Sequence, residues 1–131
     1  MNSSMTQPNL VLAWLWILLG FAMGFFFGLN FHKERWLGGY ASLRRRLYRL
    51  AHISFFGLAL VNFLFYATVQ EFDHDSLPLT IASWGFVAGA VTMPLCCVIM
   101  AHRPRLRAIF LIPVVSLITA GALIFWEVAK L

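Results

Sequence analysis

Three histidines and one sulfur-bearing run are the residues whose types and spacing admit chemistry in this chain. His32, His52 and His102 each stand where a long apolar run meets a basic segment, and His74 stands apart in the acidic stretch Gln70–Asp75. Two imidazoles facing one another across a helical bundle at equal depth are the axial pair of a six-coordinate b-type haem. His52 and His102 are the expected pair, because the second and third apolar runs reach matching depth there, with His32 close by. Arg49, Arg103 and Arg45 would then meet the propionates. The plainer alternative is that these histidines sit at headgroup level beside Tyr48. With no second histidine pair, electron relay across the whole membrane is not expected.

The second constellation is Met93, Cys96, Cys97 and Met100, at offsets of 0, 3, 4 and 7, which share one broad face of a helix. Thiolate and thioether donors are soft and favour Cu(I). Against copper stands the common use of Met and Cys as apolar filler, and one helix cannot wrap a metal by itself. The adjacent cysteines form no Cys-x-x-Cys pair, and a disulfide between neighbours in sequence would be strained.

The chain carries no Ser/His/Asp set, phosphate-binding glycine loop or His-Glu-x-x-His motif. No Asp, Glu, Lys or Arg falls near the middle of an apolar run, where ion-coupled carriers keep an ionisable group. An enzyme is therefore the least supported class.

The elements that must position these residues are membrane spans. The 131 residues are 61% hydrophobic and 11% charged, with a mean hydropathy of +0.81. A soluble domain carries about a quarter charged residues. A hydrocarbon core of roughly 30 Å needs about 20 helical residues, and four runs meet that length: 10–31, 50–69, 79–101 and 109–128. Backbone groups cannot go unpaired in lipid, and the period-2 alternation of a barrel strand is absent, so all four are expected to be helices. The expected fold is a single all-α, four-helix transmembrane domain over 1–131.

Charge sets the orientation. Nine of the ten Lys and Arg residues lie in 32–49 and 102–108, and the stretch 70–78 is acidic. The positive-inside rule makes 32–49 and 102–108 cytoplasmic loops and 70–78 an outer loop. The result is an up-down bundle with both termini on the non-cytoplasmic side, in a bacterial inner membrane. The positive charge then meets lipid headgroups, and no extramembrane domain is left to bind nucleic acid.

Gly20, Gly24 and Gly28 form one small-residue stripe, and Gly85 and Gly89 another. Such stripes let helices approach closely, within the chain or against a partner. Asn62 is expected to hydrogen-bond across the bundle, with Thr92 or Ser116 in reach. Pro94 should crowd the carbonyl of Ala90 and kink the third helix. Trp14, Trp16, Trp84 and Trp126 read as an interfacial belt.

The function these features suggest is that of a small structural, accessory or assembly subunit of a larger membrane complex. A respiratory complex is the expected setting, with b-type haem as the cofactor of the histidine pair. The alternatives are a Cu(I)-handling protein and a channel or carrier for a small neutral solute. Expected partners are membrane lipids and other membrane subunits or a second copy of the chain.

Overall fold

The computed structural model describes residues 3–131, and among them every regular element is helical: α1 (Ser3–Asn30), α2 (Leu43–Val69), α3 (Leu77–His102) and α4 (Leu111–Val128). All four, the last together with the 3-10 segment before it (Pro104–Val128), are long and apolar enough to cross a membrane. At about 1.5 Å per residue, α1 to α3 each measure roughly 40 Å, so at least a turn of each projects beyond a hydrocarbon core of about 30 Å.

The helix ends follow local chemistry more than hydropathy. Helix α1 starts at Ser3, ahead of the expected Leu10, and runs through Pro8. So near a helix start, the missing N–H of Pro8 deprives only the Ser4 carbonyl. Asn9 is an interior position of the helix. Helix α2 starts at Leu43, seven residues before its apolar run, because Ser42 caps it: the Ser42 hydroxyl accepts the Arg45 N–H at 3.1 Å and donates to the Leu37 carbonyl at 2.7 Å. Arg44, Arg45, Arg46 and Arg49 therefore lie on a helix and not in a loop. The turn before it needs positive φ at Leu37, Gly38 and Gly39, which glycine supplies at the last two. Ser76 caps α3, with Pro78 in its first turn, and a 3-10 segment (Pro104–Phe110) leads into α4.

Contacts between successive helices pair rising with falling residue numbers. Gly20 meets Phe56 and Phe27 meets Tyr48 across α1 and α2. Asn62 reaches Phe86, and Arg44 reaches Ala101, across α2 and α3. Gly85 meets Ala120, and Cys96 reaches Ile109, between α3 and the segment that forms α4. The two basic segments thus share one end, called here the basic end. Helix α3 is central and packs against each of the other three. Two buried clusters fill the seams: Phe65, Val69, Phe72, Leu79, Phe86 and Ala120 in one, Ala13, Trp16, Leu58, Ala59 and Ala90 in the other.

The glycine stripes are largely used inside the chain. A Cβ on Gly20 would come within 2.7 Å of the Phe56 ring, and one on Gly24 within 3.0 Å of His52 Nε2. At Gly85 it would lie 2.9 Å from Ala120 Cβ and 3.3 Å from the Ser116 carbonyl oxygen, and Gly89 abuts Leu117. Gly28 has nothing within 4 Å. The divergence follows from helix geometry: each four-residue step turns about 40° off a straight line, so Gly28 has rotated roughly 80° from Gly20. Gly85→Ala should therefore lower stability by about 1–2 kcal/mol, because rigid atoms on α4 must move. Gly28→Ala should be neutral or stabilise by up to about 1 kcal/mol. Unfolding of the two variants in mild detergent checks the contrast, and equal losses would contradict it.

Candidate functional site

The three basic-end histidines occupy different seams. His52 points at α1: a carbonyl only accepts, so the 3.1 Å bond to the Gly20 carbonyl puts the proton on His52 Nε2. Its ring is packed against Phe27 and Phe56. His102 lies between α2 and α3, sharing a 2.8 Å hydrogen bond through Nε2 with the Tyr48 hydroxyl. His32 is exposed just beyond α1. His52 and His102 are near in depth, yet they face different helices, and Tyr48 is the partner that His102 meets. The structure does not bring them together as an axial pair. Arg49 and Arg103 are exposed, whereas Arg45 is only 3% exposed and does not reach the surface as a propionate partner would.

The four sulfur residues also diverge. Positions 96 and 97 are about 100° apart around a helix, and they straddle the line through Met93 and Met100. Cys96 Sγ–H donates to the Ile109 carbonyl at 3.4 Å, on the α4 side. Met93 packs against the cluster around Trp16 and Leu58. Cys97 is wholly buried, and Met100 is half-buried. Among the described residues no three His, Cys, Asp or Glu side chains are grouped as a metal site.

The Cys96 bond has a structural cause. Pro113 has no N–H to offer the carbonyl four residues back, and that carbonyl is Ile109. Pro94 likewise leaves the Ala90 carbonyl without its helical donor, and the indole N–H of Trp16 donates to it at 2.9 Å. Pro94 thus frees a carbonyl that a side chain from another helix then occupies, as an apolar medium demands, whereas the Ile109 carbonyl, in the 3-10 segment, also meets the Leu111 N–H. Trp16 is 8% exposed and belongs to the core, not to the interfacial belt, while Trp14, Trp84 and Trp126 face outward. Helix α3 continues without a break through Pro94.

Asn62 is fully buried, as expected, but its partner is on α1. Asn9 Nδ2 donates to Asn62 Oδ1 at 2.8 Å and to the Ser83 carbonyl at 3.2 Å, and the Ser83 hydroxyl donates to Asn9 Oδ1 at 2.5 Å. Asn62 Nδ2 in turn donates to the Leu58 carbonyl at 2.9 Å. Thr92 instead bonds its own helix at Ala88, and Ser116 donates to the Gly85 carbonyl. This knot ties three helices at the end opposite the basic one. At α4's far end, Glu127 is buried and held by Lys130 Nζ at 2.8 Å. Asn62, Phe65, Phe86 and Ala90 are buried between the helices.

The basic end differs in how many of its polar groups are exposed. Arg45 is buried there: its Nη2 donates to the Phe31 carbonyl at 2.7 Å and its Nη1 to the Lys33 carbonyl at 3.4 Å. The guanidinium lies 4.2 Å from the Tyr40 ring centroid, 5.1 Å from Phe31 and 5.5 Å from Trp36. Carbonyl dipoles and ring faces, with no carboxylate, hold this buried cation. Arg44 Nε donates to the Ala101 carbonyl at the end of α3, satisfying one of its orphan acceptors. All eight other cations of the two segments are exposed. Glu34 is the one acidic residue in those segments, and the ion pair found among the described residues is Glu127–Lys130, at the far end.

The sequence does not reveal the hydrogen-bond partners of Tyr48, Trp16 and Asn9 or the inward turn of Arg45. The signal for Trp16 was half present, since Pro94 names the carbonyl it frees but not the donor that comes to it. Comparison with known protein families, with curated proteins and with solved structures finds no match for this chain.

Proposed function

We propose that the chain is a multi-pass protein of a bacterial inner membrane, an up-down bundle with both termini on the non-cytoplasmic side. It acts as a non-catalytic accessory or assembly subunit, meeting a larger membrane complex through its basic, cytoplasmic end. The observation that carries this reading is the contrast in polar groups. Within the spans, His52, Asn9, Asn62, Ser83, Trp16 and Cys96 all bond inside the chain. At the basic end eight cations are exposed with a single acidic residue among them, and only Lys33 and Arg44 of the eight bond within the chain through their side chains. Such a face attracts an acidic surface and sets how a partner docks. The glycine stripes, turned inward at Gly20, Gly24, Gly85 and Gly89, lend no support to docking through the membrane. The bonded thiol of Cys96 and the proton on His52 Nε2 favour structural roles over metal or haem ligation.

A photo-crosslinking residue in place of Arg105 should give one discrete adduct with another membrane protein in intact cells. Reversing Arg103, Arg105 and Arg107 to Glu should remove co-isolation of that protein while the subunit's own level holds. A chain that yields no adduct and isolates alone from mild detergent would overturn the reading.

A further inference from the structure

A lateral groove of about 310 Å³ runs along the basic-end half of the bundle. Trp16, Met23, Ala51, Phe55, Pro94 and Val98 line it, together with neighbours on α1 and α3. Its cause is local. Helices α1 and α3 are tied at Asn9–Ser83 and again at Trp16–Ala90, and beyond Trp16 the contacts of Gly20, Gly24 and Phe27 are with α2. That leaves a slot between α1 and α3, with small Ala51 beneath. From Trp16 to Met23, or Pro94 to Val98, it extends roughly 6–10 Å along the bundle. It presents no polar surface.

Helical spacing continues the same faces to the basic end. Tyr48 is one turn from Ala51, and His102 one turn from Val98, roughly 5–6 Å further on. Those two are hydrogen-bonded at 2.8 Å, one turn beyond the last residues that line the slot. Beside them lies a second hollow of about 390 Å³, lined by His102, Arg103, Pro104, Arg105 and Leu106. Both arginines are exposed, and no acidic side chain lines the hollow. An apolar slot in the membrane thus leads at His102 into a cationic basin at headgroup level.

We infer that this composite site holds one anionic phospholipid, its phosphate in the Arg103–Arg105 basin beside His102 and an acyl chain along the α1–α3 groove. Charge complementarity selects the anionic headgroup over a zwitterionic one, and the groove selects a lipid over a free phosphate. The inference rests on the membrane-spanning reading proposed above, but it needs no partner protein.

The test is native mass spectrometry of the purified full chain, exchanged into micelles containing phosphatidylglycerol or phosphatidylcholine with the same acyl chains. Phosphatidylglycerol should be retained at least tenfold more, as one tightly held molecule. Arg103→Gln with Arg105→Gln should bring its retention down to that of phosphatidylcholine. Val98→Trp, which narrows the groove without touching a charge, should weaken phosphatidylglycerol severalfold. If that variant does not fold, the wild-type comparison and the arginine pair still decide. Equal retention of the two lipids, or indifference to the arginine pair, would overturn the site. Displacement by millimolar glycerol phosphate would overturn it in favour of a free-phosphate basin. Because no other protein is present, either failure leaves the accessory-subunit reading intact, and a missing partner in cells would not alter lipid retention.

Discussion

Replacing Arg45 by Met should destabilise the protein by about 2–3 kcal/mol and release the turn between α1 and α2. Arg45 is 3% exposed, donates to the carbonyls of Phe31 and Lys33, and lies over the rings of Tyr40, Phe31 and Trp36. Hydrogen bonds from a charged donor contribute about 1.5–3 kcal/mol, and each cation–π contact about 0.5–2. The sum is offset in part because Met is spared the desolvation of a buried cation. Arg45→Lys keeps the charge but loses the planar fork that reaches two carbonyls while lying against rings, so about 1 kcal/mol should still be lost. Thermal unfolding in mild detergent gives the magnitude. Trypsin gives the location, since cleavage at Lys33 and Arg35 should accelerate in the Met variant. A variant as stable and as resistant as wild type would mean that the cage does not fasten the turn.

The second large effect belongs to Trp16. Trp16→Phe keeps a ring in the core but removes the donor to the Ala90 carbonyl, which Pro94 has already deprived of its helical N–H. A buried carbonyl left unpaired costs about 1–3 kcal/mol, so a loss of about 2 kcal/mol is expected. Pro94→Ala returns an N–H to that carbonyl. In the Pro94→Ala background, therefore, Trp16→Phe should cost at least about 1 kcal/mol less. A double-mutant cycle measures that difference directly. An equal cost in both backgrounds would show that Trp16 contributes only packing.

These two features show what a single sequence carries and what it does not. Position along a helix is legible: the apolar runs beginning at Leu10, Leu50, Leu79 and Ile109 all fall within or at the edge of observed helices. Depth is legible too, since His52, His102 and Tyr48 do share one end. Direction around the helix axis is not, because nothing in one chain says which neighbour a given face meets. His52 turns to Gly20 on α1 while His102 meets Tyr48, so two histidines near in depth are not a pair. Asn62 found Asn9 and not Thr92 for the same reason. The start of α2 was missed because a serine cap overrides hydropathy, and this drew Arg45 out of the solvated loop into a buried cage. The four sulfur residues share a face only loosely, and a spread of about 100° between neighbours was enough to send Cys96 towards Ile109.

The most direct test of the proposed orientation is labelling of single introduced cysteines with a membrane-impermeant maleimide. Cys96 and Cys97 are 5% and 0% exposed, so the native thiols give little background. His74→Cys, in the exposed acidic connector, should label in spheroplasts with the inner membrane intact, and Arg105→Cys only after that membrane is opened. Labelling of Arg105→Cys from outside, with His74→Cys protected, would place the basic end on the wrong side of the membrane and contradict the proposed function.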